Sequence, residues 1–408
     1  MTRKMKDSGI EWIGEIPEEW KIEPVFLHFW QRKAKNFQGR EKNLLSLSYG
    51  KVIEKDINKL GGLLPASYNT YNIVEPGDII IRPTDLQNDK KSLRTGLVKE
   101  HGIITSAYID LAPRNKQNVS FFHYMLHAYD IEKVFYNMGN GVRQGLNYEE
   151  LSKLRLVVPS SEEQKSISNF LDKRVFEINQ TSQTIQQEID ALEEYRKSLI
   201  TETVTKGLDK TVPMKDSGIE WIGEIPENWK IEKVKYSIEI NNGSDPIDDD
   251  GAVPVYGSGK KSFRTTSDFK VGPAVLLGRK GSISNPLWVE NKYWNVDTAF
   301  DVKSNGKINL KYYYYCAMCF DYGFYTTQTA LPSMTQTEYN NMHIPFPSLQ
   351  EQSKIVEFLD KKSDRIDKIL NQKHQQLTYL DKYKQSIVYE YVTGKKQVSE
   401  KEGVKNAQ

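Results

Sequence analysis

Two long stretches of this chain place apolar residues alternately four and three positions apart. One begins after Pro159 and the other after Pro347. This spacing is the a/d seam of a coiled coil, and one helix cannot bury such a seam alone. The pattern predicts long helices over about 161–205 and 349–393. Their predicted seam residues are Leu171, Val175, Ile178, Ile185, Ile189, Leu192, Leu199, Leu359, Ile366, Leu370, Leu377, Leu380 and Ile387.

Both predicted helices start with the same signal. Ser160-x-x-Glu163 and Ser348-x-x-Glu351 match a capping box, in which the Ser hydroxyl and the Glu carboxylate each satisfy a free backbone N–H. Two copies of one helix in a single chain favour an antiparallel pair, although each helix could instead pack on its own globule. Polar residues on the seams would weaken the pairing but could fix its register: Ser182, Arg196, Lys373 and Lys384.

Shorter runs between the helices have a different pattern. Asp78 to Ile81, Ile103 to Leu111 and Ala274 to Leu277 are rich in β-branched or apolar residues and are bounded by Gly, Pro and Asn, which predicts strands. Phe121 to Asp130 and Tyr312 to Asp321 resemble each other and predict a helix near the end of each region. Each region is therefore expected to form an α+β or α/β globule of ordinary domain size.

The chain contains an internal repeat. Met5–Glu23 recurs as Met214–Glu232 with a single difference, Glu19 against Asn228, and the helices repeat at an offset of 188. The predicted fold class is α/β (mixed α+β), with two globular domains separated by two long antiparallel helices that form a coiled coil with pseudo-twofold symmetry. The predicted boundaries are 1–23 for an N-terminal repeat segment, 24–145 and 233–333 for the globular domains, 146–232 and 334–396 for the helical regions, and 397–408 for a flexible tail.

Composition narrows the function classes. The 408 residues are 38% hydrophobic and 27% charged, which excludes a largely disordered chain. No apolar run approaches the roughly 18 residues of a membrane span, the N-terminus lacks a signal-peptide pattern, and there are only two cysteines, so a cytoplasmic protein is expected.

Charge is unevenly distributed along the chain. The net charge is only +2, but residues 24–145 carry 17 basic and 11 acidic side chains, and residues 233–333 carry 12 and 10. Two basic modules at a set separation suit double-stranded DNA, because half-sites about one helical turn apart lie on one face of the duplex. The sequence therefore favours a protein that reads a split, asymmetric DNA sequence.

Several motifs resemble those of a known family. They are the doubled Gly-Ile-Glu-Trp-Ile-Gly-Glu-Ile-Pro-x-x-Trp (Gly9–Trp20 and Gly218–Trp229), the doubled Pro-x-x-x-Glu-Gln before Phe-Leu-Asp, and Ser-Leu-Ile-x-x-x-Val-Thr ending at Thr205. Together they resemble the specificity (S) subunits of type I restriction-modification enzymes, over nearly the whole chain. The final copy differs slightly, with Ile387-Val388 in place of Leu-Ile.

The resemblance implies a function and partners. In that family two target recognition domains each read half of a bipartite DNA target, and the helices fix the gap between the halves. The implied partners are double-stranded DNA, two methyltransferase (M) subunits that carry S-adenosylmethionine, and restriction (R) subunits that use ATP and Mg²⁺ in phage defence. No membrane partner is implied.

The sequence predicts no catalytic residue or metal site in this chain. Asn285-Pro286-Leu287-Trp288 lacks the second proline of an amino-methyltransferase loop, and Gly257–Lys261 is only a fragment of a P-loop. Cys316 and Cys319 have a redox or zinc spacing, and His123 and His127 lie four apart, but neither pair has further ligands in sequence. Core helices are the favoured interpretation of both pairs.

Candidate DNA-binding residues of the first globular domain lie mainly in one segment. Gln and Asn can pair with adenine, Asp can accept from cytosine, and Lys and Arg can bind guanine or phosphate. The alternative is that the polar residues only cap turns, or that the last two pack where the domain meets the helix. The candidates are Arg82, Thr84, Asp85, Gln87, Asn88, Lys90, Lys91, Arg94, Arg143 and Gln144.

In the second globular domain the candidates follow glycine-rich turns. Gly278-Arg279-Lys280-Gly281-Ser282 comes directly after a predicted strand, so its cations and backbone N–H groups could meet a phosphate or guanine. A solvated hairpin turn is the alternative. The full set is Arg279, Lys280 and Ser282, with Lys260, Lys261 and Arg264 as phosphate anchors.

Two other function classes compete with a DNA-specificity subunit. One is a coiled-coil adaptor whose basic regions bind RNA or acidic proteins, and a test for a split DNA footprint separates it from the first. The other is an enzyme in its own right, which the missing motifs disfavour.

Overall fold

The computed structural model describes residues 3–56, 67–84, 86, 93–115, 118–138, 145–325 and 332–399. The chain forms two compact units. Unit 1 comprises Met1–Thr184 and Gln376–Gln408, and unit 2 comprises Ile185–Gln375. Both units thus contain a globular domain and a part of each long helix.

Unit 1 holds the first repeat segment and the first globular domain. Its elements are β1 (Met5–Asp7), β2 (Glu15–Pro17), β3 (Lys21–Pro24), α1 (Val25–His28), β4 (Phe29–Gln31), β5 (Leu44–Ser48), β6 (Lys51–Lys55), β7 (Asn72–Val74), β8 (Ile79–Ile81), β9 (Thr95–Leu97), β10 (Gly102–Ile104), β11 (Ile109–Pro113), α2 (Val119–Ile131), α3 (Tyr148–Ser152), β12 (Arg155–Val158) and the start of α4 (Ser161–Lys206).

Two sheets form the first globular domain. One has the order β4-β11-β8-β9 and is antiparallel, and the other has the order β6-β5-β10-β7 with β10 parallel to β5. Successive side chains of a strand point to opposite faces. Ile79 and Ile81 accordingly pack in the cluster that includes α2, whereas Ile80 packs with residues of the second sheet such as Leu45 and Val74.

Unit 2 repeats this organisation. Its elements are β13 (Met214–Asp216), β14 (Glu224–Pro226), β15 (Lys230–Lys233), β16 (Ile238–Asn242), β17 (Val253–Tyr256), β18 (Arg264–Thr266), β19 (Ala274–Gly278), β20 (Leu287–Val289), β21 (Trp294–Asn295), β22 (Ala299–Ser304), α5 (Leu310–Ala317), α6 (Tyr322–Tyr325), α7 (Gln336–Asn341), β23 (His343–Phe346) and α8 (Leu349–Val392), whose end belongs to unit 1.

The two globular domains share one topology. The order β16-β22-β19-β20 of the main sheet corresponds strand by strand to β4-β11-β8-β9. In the smaller sheet, β18-β17-β21 corresponds to β6-β5-β10, and β17 pairs parallel to β21 as β5 does to β10. The weak sequence similarity between the two regions therefore reflects a common fold.

The long helices agree with the sequence pattern within one residue at each end: α4 spans Ser161–Lys206 and α8 spans Leu349–Val392. Every predicted seam residue is buried or half-buried. Within unit 2 the helices are antiparallel, because Glu188 pairs with Lys373 at 2.6 Å and Arg196 pairs with Asp367 at 2.6 Å. The ends of both helices also pack on the globule of their unit, so the alternative interpretation holds in part.

The strand predictions are confirmed with one correction. Ile103 to Leu111 forms two strands rather than one, because a turn at Thr105 to Tyr108 interrupts the run. The Thr105 hydroxyl accepts from Ala107 N–H in this turn at 3.3 Å. The helices predicted near the ends of the globules are present as α2 and α5. In the part of the chain that the structure describes, no helix has both the length and the apolar character needed to cross a membrane.

Candidate nucleic-acid interface

A buried tryptophan joins the repeat segment to the helices in each unit. Trp20 Nε1 donates to Glu163 at 2.9 Å in unit 1, and Trp229 Nε1 donates to Glu351 at 3.0 Å in unit 2. The capping prediction is therefore half correct. The Ser hydroxyls do cap the Glu N–H groups, at 3.2 and 3.3 Å, but the Glu carboxylates hold the tryptophans instead of the N-cap backbone.

Each tryptophan also lies against the glycine that follows the C-terminal end of the other long helix, α8 for Trp20 and α4 for Trp229. Gly394 follows α8 and Gly207 follows α4, with φ of +73° and +74°, the left-handed conformation common just after a helix. A Cβ at these glycines would lie 3.2 Å from Trp20 and 3.0 Å from Trp229. We refer to Trp20, Glu163 and Gly394 as the first tryptophan anchor, and to Trp229, Glu351 and Gly207 as the second.

The predicted DNA-binding segment of the first domain is the connection between β8 and β9. Asp85, Gln87, Asn88, Lys90, Lys91, Arg143 and Gln144 lie outside the described residues. Of the remaining candidates, Thr84 is exposed, and Arg82 is half-buried with its backbone N–H bonded to the Arg94 carbonyl at 2.8 Å.

Arg94 was predicted to contact DNA, but it is buried and has a structural role instead. Its side chain is fully buried, and its guanidinium donates to the Tyr136 hydroxyl at 3.1 Å and to the Thr84 carbonyl at 2.5 Å. Its backbone N–H donates to Asp130. These bonds hold the two ends of the β8–β9 connection together, so Arg94 supports this loop and does not reach solvent where DNA would lie.

In the second domain the predicted Arg-Lys turn is the connection between β19 and β20. Lys280 and Ser282 are exposed. Arg279 is half-buried, with its guanidinium 5.9 Å from the centre of the Phe300 ring and one nitrogen 3.4 Å from the Asp297 carbonyl. The side chains of Lys280 and Ser282 reach solvent, whereas that of Arg94 is buried. This end of the turn is accessible to a phosphate or a base edge.

The other three candidates of the second domain belong to the β17–β18 hairpin. Lys260 and Lys261 are exposed in the loop between the strands. Arg264 is not an open cation, because its guanidinium bonds Asp245 at 2.9 Å and Asp249 at 3.0 Å. Its charge is compensated within the domain, which leaves the two lysines as the uncompensated pair on this hairpin.

The hairpin and the Arg-Lys turn meet at Thr298. The Thr298 carbonyl accepts from Arg279 N–H at 2.8 Å. A Cβ placed on Gly257, at the foot of the hairpin loop, would lie 2.9 Å from Thr298 Oγ1. Two segments that were predicted separately from sequence therefore form one surface of the second domain.

Sequence reasoning did not identify the buried acids beneath these loops. Asp110 on β11 and Asp301 on β22 occupy equivalent positions of the sheets β4-β11-β8-β9 and β16-β22-β19-β20, each on the face turned towards the other sheet of its domain. Asp301 bonds Lys270 at 2.9 Å and the Tyr293 hydroxyl at 3.2 Å. The available signal was a carboxylate between two apolar residues of a strand, Ile109-Asp110-Leu111 and Phe300-Asp301-Val302.

Asp110 has a less favourable environment. Its nearest cation is Arg32, at 3.8 Å, and Arg32 bonds Asp78 more closely, at 2.8 Å. Burial and the neighbouring carboxylate of Asp78 raise the pKa of Asp110 to about 8. Asp110 is therefore mostly protonated at neutral pH.

The His pair lies on α2, and the Cys pair lies on and just after α5, two helices that pack on the cores, as the sequence favoured. His123, His127 and Cys319 are half-buried there. Burial lowers the pKa of His123 to about 3 and that of His127 to about 4, so both imidazoles are neutral. Cys316 is fully buried in the cluster around α5, and burial raises the pKa of its thiol. Among the described residues, no group of three or more His, Cys, Asp or Glu side chains could hold a metal ion.

Comparison with known proteins identifies the family. The model of the type I restriction modification DNA specificity domain matches residues 94–191 and 226–379. The chain belongs to this family.

Two curated relatives come from Methanocaldococcus jannaschii. A protein named as the specificity subunit of the MjaX type I restriction enzyme is 24% identical, over 94% of this chain and 95% of the relative. The type I restriction enzyme MjaVIII specificity subunit is 23% identical, over 72% of this chain and 74% of the relative. A chain from a solved structure on complex assembly and conformational transition of the type I R-M system aligns with a TM-score of 0.66 at 12% identity, and the alignment covers 92% of this chain and 98% of that chain. The mixed α/β fold class expected from the sequence is confirmed.

Proposed function

We propose that this type I specificity subunit reads a bipartite, asymmetric DNA target. One half is read by the domain of residues 24–145 and the other by the domain of residues 233–333. The observation that carries the proposal is the common topology of the two domains combined with unlike surface loops. A shared fold supports equivalent reading surfaces in the two domains, and different loops suit different bases.

The paired helices are proposed to set the gap between the half-sites and to dock two methyltransferase subunits. Catalysis is assigned to these partners, which would supply S-adenosylmethionine, and to restriction subunits, which would supply ATP-driven cleavage with Mg²⁺. The exposed loop residues Lys260, Lys261, Lys280 and Ser282 support DNA contact by the second domain, since cations and hydroxyls bind phosphate oxygens. The cytoplasm, where DNA is accessible, is the proposed location.

Exchange of residues 24–145 for the equivalent domain of another specificity subunit tests the modular reading. Methylation-sensitive sequencing of DNA from cells that express the assembled enzyme should show one half of the methylated sequence changed and the other half unchanged. Loss of both halves together would contradict separate reading. A split DNA footprint of the assembled enzyme excludes the adaptor function, and its absence would favour that function.

Insertion of seven residues into both α4 and α8 tests the role of the helices. At 1.5 Å per residue the insertion adds about 10 Å, or roughly three base pairs at 3.4 Å each. The methylated sequence should keep both halves but tolerate a longer gap. An unchanged gap would show that the helices do not measure it.

A further inference from the structure

Each globular domain presents a hairpin at the edge of its second sheet, β6-β5-β10-β7 in the first domain and β18-β17-β21 in the second. The β5–β6 hairpin of the first domain corresponds to the β17–β18 hairpin of the second, because β5 and β17 each pair with a parallel neighbour, β10 and β21. The two hairpins differ in their tips. A two-residue turn joins β5 to β6, and the seven residues 257–263 join β17 to β18.

The tip of the first hairpin carries an exposed tyrosine in a strained conformation. Tyr49 and Gly50 both have positive φ, +46° and +77°, as a two-residue turn of type I′ requires. Asn, Asp or Gly normally occupies the first of these positions, since a bulky side chain is strained there. Tyr49 gains no packing in return, because its side chain is 87% exposed. Strain of this kind is often retained where a residue acts on a ligand.

The loop of the second hairpin also carries an exposed aromatic residue, at its end next to β18. Phe263 is 60% exposed, its backbone N–H donates to the Val255 carbonyl at 3.2 Å, and the exposed Lys260 and Lys261 precede it by three and two residues. In the first hairpin the exposed Lys51 follows the tip. Aromatic rings beside cations are the combination that stacks on bases while it neutralises phosphates.

Each hairpin lies beside a residue that borders a loop in which DNA contacts were predicted. A Cβ on Gly50 would be 3.0 Å from the side chain of Leu93, near the end of the β8–β9 connection. In the second domain the loop of the hairpin meets the Arg279 turn at Thr298. Tyr49 therefore lies next to the described end of the β8–β9 connection, and the loop that ends at Phe263 shares Thr298 with the Arg279 turn.

We propose that Tyr49 and Phe263 are DNA contacts, each of which packs its ring against a base of the half-site read by its own domain. The inference rests on the proposed function and adds residues to it. A methyltransferase surface is the less suitable partner, because two identical subunits would need matching contacts. The exposed Tyr195 and Tyr383 are such a matching pair, because they lie 188 residues apart at equivalent positions of the two helices. The two hairpin loops differ in length, and their aromatic residues are a tyrosine and a phenylalanine.

The test uses the full chain assembled with its methyltransferase subunits and a pool of random DNA duplexes, from which bound sequences are selected. Tyr49→Ala should weaken binding of the duplex preferred by the wild type by about 5-fold or more and relax base preference in one half only. Phe263→Ala should do the same in the other half only. Phe37→Ala and Phe269→Ala, at exposed aromatic residues of the two globular domains outside both hairpins, are the matched controls and should leave selection unchanged.

Two further variants separate the ring from the backbone. Tyr49→Phe should retain the selected sequence, because the ring remains. Tyr49→Gly should relieve the strain and raise the melting temperature, yet lose DNA affinity as Tyr49→Ala does. A loss with Ala and full affinity with Gly would assign the effect to turn geometry and overturn the proposal.

The outcomes also separate this inference from the proposed function. If the wild type selects a split sequence and Tyr49→Ala and Phe263→Ala select the same sequence with equal affinity, the hairpin contacts are wrong and the subunit function stands. If the wild type selects no sequence, the proposed function itself fails, and the hairpin proposal fails with it. If the two variants lose methyltransferase subunits instead of base preference, the tips are protein contacts and the inference is overturned.

Discussion

The two globular domains place a buried carboxylate at the same point of the same sheet but neutralise it in different ways. In the second domain Asp301 has a lysine at 2.9 Å and a tyrosine hydroxyl at 3.2 Å. In the first domain the nearest cation to Asp110 is 3.8 Å away, and the acid faces a second carboxylate, Asp78. One domain pairs its acid with a cation, and the other keeps its acid protonated at neutral pH.

The difference shows which part of the repeat is constrained. The tryptophan anchors are nearly identical in both units. Glu163 accepts from the Trp20 indole at 2.9 Å, and the equivalent Glu351 accepts from the Trp229 indole at 3.0 Å. Inside the globules the strand order and the buried acid position are retained, while the partners of the acid have changed. A buried charge needs compensation, but several sets of neighbours can provide it.

Neutralising the buried acid of each domain should affect the stability of the two domains unequally, and this is the largest effect that we expect. Asp301→Asn leaves Lys270, which is 24% exposed, without its anionic partner and should destabilise the second domain by about 3 kcal/mol. Asp110→Asn replaces an acid that is mostly protonated at neutral pH with a neutral amide of the same shape, so a change within about 1 kcal/mol is expected. Hydrogen exchange of peptides from β22 and β11 reports each domain separately. Equal losses in both domains would show that the two acids have the same environment.

The same pair of variants predicts a pH dependence. An acid whose pKa is raised in the fold binds a proton that the unfolded chain releases, so its contribution to stability falls as the pH rises from about 4 through the raised pKa near 8. The first domain of the wild type should therefore lose protection between pH 5 and pH 9, and Asp110→Asn should lose less. His123 and His127, whose pKa values are lowered, act in the opposite direction below about pH 6.5 but are common to both proteins and cancel.

The single difference between the 19-residue repeats gives a smaller effect. Arg3 binds both carboxylate oxygens of Glu163, at 2.7 and 2.9 Å, and also bonds Glu19 at 2.6 Å. The position that matches Arg3 in the second copy is Val212, and Asn228 stands in place of Glu19. Glu19 is thus explained by a cation that only the first anchor has.

Arg3→Val should destabilise unit 1 by about 1 kcal/mol, because two charge-assisted bonds at a half-buried carboxylate are lost. Glu19→Asn should cost about half as much, since Glu19 is 58% exposed. Asn228→Glu is the matched control and should have no effect on unit 2. Hydrogen exchange at the start of α4 measures the first two variants and at the start of α8 the third. A loss of protection from Asn228→Glu equal to that from Glu19→Asn would contradict this account.

The sequence predicted periodic and repeated features better than the contacts of polar side chains. Both long helices were located within one residue, because a heptad seam and a Ser N-cap each act locally. The function of Glu163 in the tryptophan anchor and the burial of Arg94 could not be predicted, because each depends on partners far away in the chain. Arginine is a residue type that commonly contacts DNA, and the bonds of Arg94 to Tyr136 and Asp130 show that it supports the loop instead.

The ion pairs between α4 and α8 have the smallest expected effect on stability, and their main expected role is to fix the register of the helix pair. Arg196–Asp367 and Glu188–Lys373 join the antiparallel helices in unit 2, but their acids are 56% and 49% exposed, so each pair should contribute only about 0.2–1 kcal/mol. A double-mutant cycle with Arg196→Met and Asp367→Asn should give a coupling energy in this range from denaturant unfolding followed at α4. The pair Arg174–Glu177 lies three residues apart on one helix and is the control, because it cannot affect helix pairing. Exchanging the charges, as Arg196→Asp with Asp367→Arg, should restore most of the coupling. A coupling well above 1 kcal/mol would mean that the seam depends on its ion pairs more than on its apolar residues.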